Sequence, residues 1–334
     1  MNQKNCFKRH IISRTPYRIS LGGGGTDLPF YARERGGFLI SAAINHYTYV
    51  SATKRTLDEQ ILVQTTDVQF ADHLENIRHQ FVREALKFFE IHSGIQVGSY
   101  AMLPSSLGLA SSSCFTVGLV KTLSAMKGME MSATEVAELA YHLERERLGL
   151  AGGVQDQYIC SPGGIQKISV SRDYQVESSP LNLDLSVRRN LEQHLVLIYC
   201  GIERDSEKVI RSQLDDPQNT LSVYDRLKDI GMQSVTALEN GDIDQLGRLM
   251  HEHWREKKSL SASMSNSHID QQYLHLMEAG ATGGKIVGAG GGGFFLMAVP
   301  GKTSTFREKI RSSGFRALDW AFDWHGSRVI ETME

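Results

Sequence analysis

Residues 103–115 read LPSSLGLASSSCF, a stretch that places a proline, small residues and three serines between a predicted strand and a predicted helix. Gly108 allows a ligand to approach the backbone closely, because glycine has no side chain to block it. The first amides of the following helix lack partners within the helix, and the positive end of the helix dipole lies behind them. Such a junction is typical of a phosphate-binding site. It is not a Walker loop, since G-x-x-x-x-G-K-S/T is absent, and a serine-capped helix after an ordinary turn is the alternative.

The sequence around this stretch predicts strands first and helices later. Strands are predicted over residues 10–21, 38–53, 61–65 and 97–102, the second of which is dense in β-branched and aromatic residues. A helix is predicted between the last two strands, because apolar residues recur there at helical spacing: Leu74, Ile77, Phe81, Ala85 and Phe88. A second helix is predicted over residues 111–126. A third begins with a capping box of Ser132 and Glu135 and ends near Gly149.

The second half of the chain predicts a buried strand at residues 195–200, several long helices and a return to strands. Helical spacing is clear in two sets of residues: Leu221, Tyr224, Leu227 and Ile230, and then Ile243, Leu246, Met250 and Trp254. Strands are predicted at residues 285–287 and 294–299, with an edge strand at 328–331. Runs of strands and runs of helices, without steady alternation, predict the α+β class. We expect two domains, residues 1–185 and 186–334.

Composition and charge exclude several classes of function. The chain has 334 residues and a formal net charge of −2, with no cluster of Lys or Arg interleaved with aromatic residues, so we expect no nucleic-acid partner. The cysteines form no C-x-x-C pair, so neither a zinc site nor a disulfide framework is expected; they are Cys6, Cys114, Cys160 and Cys200. The N-terminus is polar and no apolar run is long enough to cross a bilayer. We therefore expect a protein of the reducing cytoplasm, without a signal peptide or a membrane anchor.

Two further runs of glycine occur in the sequence, and each is expected to make a contact that offsets its low intrinsic stability. Residues 22–25 are all glycine and lead into Thr26 and Asp27. Each glycine costs about 1 kcal/mol relative to alanine in a helix, and a ligand that approaches the backbone closely would compensate for this loss of stability. A flexible hairpin tip is the alternative. Residues 288–293 formally satisfy G-x-G-x-x-G, but a predicted strand follows where a dinucleotide-binding fold needs a helix. We expect a tight strand-glycine-strand hairpin that presses on a neighbouring loop.

The last segment with candidate chemistry is ERERLGLAGGVQDQ, residues 144–157. Its glycines end the preceding helix and place Asp156 on a short loop. An acidic residue there can be a catalytic carboxylate, and a cap or turn residue is the alternative. His251 and His253 indicate no metal site, because residues two apart on a helix do not share a face and no H-E-x-x-H is present. We expect both to be surface histidines.

Taken together, these segments resemble the GHMP kinases, the superfamily of galactokinase, homoserine kinase, mevalonate kinase and phosphomevalonate kinase. TPYRISLGGGGTD matches the acceptor-binding motif of that family, P-x-R/K-V/I-x-L-x-G-x-x-T-D, at Pro16, Arg18, Leu21, Thr26 and Asp27. The phosphate loop of the family, P-x-x-x-G-L-x-S-S, matches at Pro104, Gly108, Leu109, Ser111 and Ser112. Residues 285–293 resemble the C-terminal glycine motif, with Val287 where Thr or Ser is usual. The resemblance covers nearly the whole chain.

The resemblance implies a fold and a set of roles. The fold would pair an N-terminal ribosomal protein S5 domain 2-like domain with a C-terminal ferredoxin-like α+β domain. ATP and Mg²⁺ would be the cofactors. Asp156 and Arg18 would be catalytic, and Ser112 and Glu144 would hold the metal. The nucleotide would be bound by Pro104, Ser106, Gly108, Leu109, Ala110, Ser111, Ser112 and Ser113. The acceptor would be bound by Gly23, Gly24, Gly25, Thr26, Asp27, Gly153, Lys285, Gly290 and Gly291.

The residues before Thr26 narrow the choice of acceptor. Galactokinases carry Glu-His where this chain has Gly24 and Gly25, so a plain galactokinase is not expected. The smaller residues widen the pocket and leave bare amides for an anion. GGGGTDLP and ERERLGLAGGVQDQY together look most like the bacterial D-glycero-D-manno-heptose 7-phosphate kinases, which act on the anomeric hydroxyl of a sugar phosphate. Fucokinase-like enzymes are the nearest rivals, and an ATP-dependent decarboxylase or a non-catalytic sugar-binding regulator is a further alternative. The sequence leaves open the anomer, the adenine contacts and whether the chain forms a homodimer.

Overall fold

A computed structural model describes residues 8–203, 206–212 and 217–333. Cys6 and the polar N-terminal segment lie outside these ranges. The strands are β1 (His10–Gly22), β2 (Gly37–Lys54), β3 (Ile61–Gln64), β4 (Val68–Ala71), β5 (Ile95–Ala101), β6 (Ile165–Val170), β7 (Val176–Pro180), β8 (Leu195–Tyr199), β9 (Gly283–Ile286), β10 (Phe294–Ala298), β11 (Arg316–Leu318) and β12 (Arg328–Met333).

The α-helices alternate with these strands irregularly along the chain. They are α1 (Pro29–Arg35), α2 (Gln80–Phe88), α3 (Ser111–Met126), α4 (Ala133–Tyr141), α5 (Gln155–Cys160), α6 (Leu185–His194), α7 (Ser206–Arg211), α8 (Pro217–Glu239), α9 (Ile243–Lys258), α10 (Ser267–Ala279) and α11 (Thr303–Ser312). Short 3-10 turns occur at Leu74–Asn76 and Ala262–Met264, and a π-helical segment, His142–Arg147, continues α4.

Two mainly antiparallel sheets form the framework. The first runs β12-β1-β2-β5-β3-β4, with β6 also paired to β2 and β7 paired to β6; β3 and β5 are parallel. The second runs β11-β8-β10-β9. The α+β prediction is confirmed, because the strands of both sheets pair mainly antiparallel and helices such as α3 and α9 pack against them. The predicted edge strand at residues 328–331 is present as β12, which pairs with β1.

Helix α3 lies at the centre of the larger apolar core. Its buried residues Val117, Val120 and Leu123 join Ile19 and Val50 from the first sheet. The same core includes residues of the second sheet, among them Leu197 and Leu296, and so extends into both halves of the chain. The domain boundary predicted after residue 185 falls within the first turn of α6 and remains a prediction.

One predicted helix is shorter than expected. The apolar residues from Leu74 to Phe88 were predicted to form a single helix, but Leu74 lies in the 3-10 turn and α2 begins only at Gln80. Leu74 and Ile77 are buried although they precede the helix, whereas Phe88 is 41% exposed. Their spacing therefore reflects packing of a turn against the core and not one continuous helical face. Four strands were not predicted: β4, β6, β7 and β11. Of these, β4 and β7 have a polar or exposed pattern.

Candidate active site

The loop from residue 103 to residue 110 connects β5 to α3 with an unusual backbone. Ser106, Gly108 and Ala110 all have positive φ, at 66°, 78° and 72°. Such angles are uncommon for serine and alanine and concentrate at functional sites. Ala110 is the N-cap residue of α3, and no side chain caps the helix. The serine-capped alternative is therefore wrong, and the first amides of α3 are left for a ligand.

The glycine-rich segment between β9 and β10 presses on this loop. A Cβ built on Gly293, whose φ is +93°, would lie 2.3 Å from the carbonyl oxygen of Leu107. β9 and β10 pair antiparallel, and the Gly293 amide donates to Ile202 O at 2.9 Å. The predicted strand-glycine-strand hairpin is confirmed. Only glycine permits so close an approach between the hairpin and the phosphate loop.

Arg18 joins the phosphate loop to Asp156. Arg18 Nε and Nη2 each lie 2.8 Å from Asp156 Oδ1, and Nη1 donates to the carbonyl oxygen of Gly108 at 2.6 Å. Arg18 is nearly buried on β1, and Asp156 lies in the first turn of α5 with its side chain 23% exposed. The guanidinium thus holds the carboxylate beside the phosphate loop, while the carboxylate keeps access to the cavity. These residues are 138 positions apart in the sequence.

Glu144 is a buried carboxylate at the other side of the start of α3. It belongs to the π-helical segment, a feature frequent at functional sites. Glu144 Oε2 accepts from Ser113 Oγ at 2.9 Å and from Gln157 Nε2 at 3.0 Å, and Arg145 Nη2 lies 3.3 Å away. Burial raises the pKa of Glu144, against the positive charge of Arg145. Its Oε1 has no hydrogen-bond partner in the described part of the chain.

The metal prediction paired Glu144 with Ser112. Ser112 is exposed at the start of α3 and lines the cavity, whereas the hydroxyl that contacts Glu144 belongs to Ser113. A buried carboxylate oxygen without a partner is costly, and a hard cation would satisfy it. The donor set therefore fits Mg²⁺. Among the described residues, no three or more His, Cys, Asp or Glu side chains cluster so that they could hold a metal by themselves. Phosphate and water oxygens would therefore have to complete the coordination shell.

The glycine run at residues 22–25 forms a turn that packs closely against β2, not an exposed hairpin tip. A Cβ built on Gly23 would lie 2.2 Å from the carbonyl oxygen of Phe38. Thr26 Oγ1 donates to that same oxygen at 2.8 Å and lies 2.9 Å from Gly23 O. Gly23 and Thr26 therefore fasten the turn to β2.

Asp27 connects this turn to the segment that carries Asp156. Its Oδ2 accepts from the amide of Gln155 at 2.9 Å, and a Cβ built on Gly153 would lie 2.1 Å from the same oxygen. Burial raises the pKa of Asp27, and the nearby charge of Asp156 adds to the effect. The acceptor motif and the catalytic segment are thus in direct contact.

A single cavity of about 1060 Å³ connects these groups. Predicted site residues on its wall are Arg18, Gly24, Gly25, Asp27, Ser106, Gly108, Ala110, Ser111, Ser112, Ser113, Glu144, Gly153 and Asp156. The other predicted site residues are not among those that line it: Gly23, Thr26, Pro104, Leu109, Lys285, Gly290 and Gly291. Pro104 lines an adjoining pocket, and Lys285 is 1% exposed on β9. Binding roles for this second group remain predictions.

The cavity wall also includes residues that the sequence did not indicate as site residues. Lys257, Tyr224 and Arg145 reach it, as do the aromatic residues His79, Phe81 and Phe115 near the phosphate loop. For Lys257 a signal existed: it lies three residues after Trp254, on the face of α9 that carries the apolar stripe.

One histidine prediction was wrong. His251 is exposed as expected, but His253 is buried beside Lys257 and Lys285. His253 follows Met250 by three positions, so it shares the buried face of α9. Burial lowers the pKa of His253, and the charges of the two lysines lower it further.

Comparisons with known proteins agree with this geometry. The family model of the GHMP kinases N terminal domain matches residues 77–164. The family model of the GHMP kinases C terminal domain matches residues 234–314. D-glycero-alpha-D-manno-heptose 7-phosphate kinase of Campylobacter jejuni is 29% identical over 95% of this chain and 97% of its own length. Over the residues that the structure describes, none of the helices combines the length and apolarity of a membrane span.

Solved structures share the fold over nearly all of the chain. A D-glycero-D-manno-heptose 1-phosphate kinase from Bacteroides thetaiotaomicron aligns with a TM-score of 0.82 at 22% identity, covering 97% of this chain and 100% of its own. A putative sugar kinase from Campylobacter jejuni aligns with a TM-score of 0.79 at 26% identity, covering 100% of both chains. Because both family halves match in order and the fold extends across them, the chain belongs to the GHMP kinase family.

Proposed function

We propose that this GHMP kinase transfers the terminal phosphoryl group of ATP to the anomeric hydroxyl of a sugar phosphate, and that D-glycero-D-manno-heptose 7-phosphate is converted to the 1,7-bisphosphate. The observation that carries the proposal is the position of Asp156. Its carboxylate is held by Arg18 beside the phosphate loop, on the wall of the cavity that also contains Asp27 and Gly25.

The nucleotide would enter along the phosphate loop. Uncapped amides at the start of α3 would bind the triphosphate, because they offer unpaired donors and the positive end of a helix dipole. His79, Phe81 and Phe115 form an aromatic cluster on the same cavity wall, with ring centroids 5.1 Å apart for His79 and Phe115 and 6.3 Å for Phe81 and Phe115. Such a cluster suits the flat, apolar faces of a nucleobase.

Glu144 would hold Mg²⁺ through its unpartnered Oε1, with a hydroxyl from Ser112 or Ser113 nearby. When bound, the ion would neutralise phosphate charge and orient the terminal phosphate. Arg145 stays within 3.3 Å of Glu144 and so keeps the carboxylate in place.

Asp156 would orient the anomeric hydroxyl for attack. In the reaction the bond from the sugar oxygen to the terminal phosphorus forms, the bond to the bridging oxygen of ADP breaks, and the hydroxyl proton passes to the carboxylate or to water. Phosphoryl transfer depends mainly on positioning and charge neutralisation, which Arg18 and Asp156 are placed to supply. A cytoplasmic location and a homodimer remain predictions.

The function is tested by coupled ADP release with heptose 7-phosphate, mannose, fucose, galactose and homoserine as acceptors. We expect heptose 7-phosphate to give the highest kcat/KM. Asp156→Asn should lower kcat by about 10²- to 10⁴-fold, the usual contribution of a positioned acid or base. Asp319→Asn is the matched control, because the Asp319 side chain is 94% exposed and its carboxylate pairs with Arg307 at 2.9 Å.

Three outcomes would contradict the proposal. Preference for an unphosphorylated acceptor such as fucose would favour the fucokinase-like alternative. Unchanged ADP formation in Asp156→Asn would show that Asp156 is not catalytic, and the absence of ADP formation with every acceptor would favour a sugar-binding regulator.

A further inference from the structure

Helix α9 carries a buried lysine to the cavity. Lys257 is only 4% exposed, and its ammonium donates to the carbonyl oxygen of Gly288 at 2.6 Å, in the glycine-rich hairpin. Nevertheless it is one of the cavity-lining residues. The side chain is therefore held mostly in the core and contributes to the wall of the space where a ligand would bind.

The wall around Lys257 belongs to the acceptor side of the cavity. Tyr224 on α8 lines the cavity, and a Cβ built on Gly25 would lie 2.7 Å from Tyr224 Cε1. Tyr224 shares an apolar cluster with Ala289, the residue next to Gly288. Gly288, whose carbonyl oxygen accepts from Lys257, is thus next to the part of the cavity wall that faces the turn at residues 22–25.

The other cationic side chains of this cavity, within the described ranges, serve different groups. Arg18 contacts Asp156 and the phosphate loop, and Arg145 contacts Glu144. Both lie at the reacting centre or at the proposed metal position. Lys257 differs in its location, since it comes from α9 and stands with Tyr224 and Gly288.

A second buried lysine, Lys285, lies near Lys257. Lys285, which was predicted to contact the acceptor, is buried on β9 and does not line the cavity. Burial lowers the pKa of Lys285 well below its usual range, and the positive charges of Lys257 and Arg18 lower it further. His253 lies beside the same two lysines, and its ring nitrogens have no hydrogen-bond partner among the described residues. A bound anion would offset this repulsion and favour the protonated forms of Lys285 and His253.

We propose that Lys257 binds the phosphate monoester of the acceptor and thereby selects phosphorylated sugars over unphosphorylated ones. The inference rests on the proposed function, because it requires an acceptor that carries a phosphate. A lysine ammonium is a suitable ligand, since it is a compact charge with three donors. Lys285 and His253 lie near it as positioning residues, and a bound anion would favour their protonated forms.

The test replaces Lys257 with methionine, which keeps most of the volume of the side chain and removes its charge. With D-glycero-D-manno-heptose 7-phosphate, kcat/KM should fall about 10- to 100-fold, as expected for the loss of one hydrogen bond to a charged group. With the unphosphorylated heptose, kcat/KM should change by less than about twofold, and the KM for ATP should stay the same. Lys258→Met is the matched control, because Lys258 is the next residue, pairs with Asp270 at 3.0 Å and does not line the cavity.

Three results would overturn the inference. Equal losses with the two heptoses would show a structural or catalytic role, a raised KM for ATP would place Lys257 at the nucleotide, and unchanged kinetics would show no role in binding. Isothermal titration with inorganic phosphate separates this inference from the proposed function. Wild-type protein should bind phosphate more tightly than Lys257→Met even if heptose 7-phosphate is not the acceptor, and equal phosphate binding by the two proteins also refutes the inference.

Discussion

Gly293 is the residue through which the C-terminal glycine hairpin controls the shape of the phosphate loop. In Gly293→Ala the new Cβ would lie 2.3 Å from the carbonyl oxygen of Leu107, and contacts under 3.0 Å do not occur for real Cβ atoms. The Leu107 carbonyl must therefore move by more than about half an ångström or the hairpin must retract. Since Gly108 follows directly and accepts from Arg18, the movement also disturbs the support of Asp156.

The size of the effect has two separable parts. A non-glycine residue at a φ of +93° costs about 1–2 kcal/mol in free energy of unfolding. Overpacking against a backbone atom costs about 1–3 kcal/mol more. Gly314→Ala isolates the first part, because Gly314 has a φ of +86° and nothing within 4 Å of its built Cβ. Gly301→Ala should include neither part, since its built Cβ also meets open space and its φ lies outside the positive range.

Urea unfolding and the KM for ATP measure the two consequences. We expect stability to decrease in the order Gly301→Ala, Gly314→Ala, Gly293→Ala. Only Gly293→Ala should raise the KM for ATP, by about tenfold or more, because misplacement of binding groups on the scale of an ångström is costly. If Gly293→Ala matches Gly314→Ala in both stability and KM, the hairpin does not shape the phosphate loop and the reasoning is refuted.

Two further predictions concern the metal position and the acceptor turn. Burial raises the pKa of Glu144 in the folded protein above its ordinary value of about 4.5. As the pH rises from 4.5 towards the pKa of the folded state, the unfolded state loses its proton first, and the free energy of unfolding therefore falls. In metal-free protein, the free energy of unfolding of Glu144→Gln should therefore fall less with pH than that of the wild type, as measured by urea unfolding between pH 3.5 and 8. The same pH dependence in the two proteins would contradict this prediction. Gly25→Ala should raise the KM for the acceptor about tenfold and leave the KM for ATP unchanged, because its Cβ would lie 2.7 Å from Tyr224 Cε1 at a φ of +100°. Gly149→Ala is its control, with a positive φ of +66° in open space, and a raised KM for ATP in Gly25→Ala would contradict the assignment.

Local signals predicted much of the framework correctly. The capping box of Ser132 and Glu135 is present at the start of α4, and the predicted helix over residues 111–126 matches α3. The hairpin at residues 288–293 was also predicted from the strand that follows it. Each of these features depends on residues that are close in the sequence, so the pattern alone contains the required information.

The helical spacing of apolar residues gave wrong predictions where tertiary packing, and not a helical face, buried the side chains. Leu74 and Ile77 recur with helical spacing but lie in a turn, because tertiary packing can bury a turn as completely as a helix. His253 was expected at the surface although the stripe around Met250 and Trp254 already indicated a buried face. Polar residues are usually predicted to lie at the surface, because burial of a polar group costs free energy. Only the tertiary surroundings of such a residue show whether this cost is offset.

The sequence by itself determined the order of the main strands and helices, the position of each glycine-rich turn and the resemblance that implied a kinase, because turn chemistry and motif spacing are properties of short segments. Only the tertiary structure decided which residues meet: Ser113 and not Ser112 contacts Glu144 across 31 positions, and Arg18 reaches Asp156 across 138. It also brought Lys257 to the cavity from α9. Contacts between residues so far apart depend on how two sheets and their helices pack, and that packing is a property of the whole core.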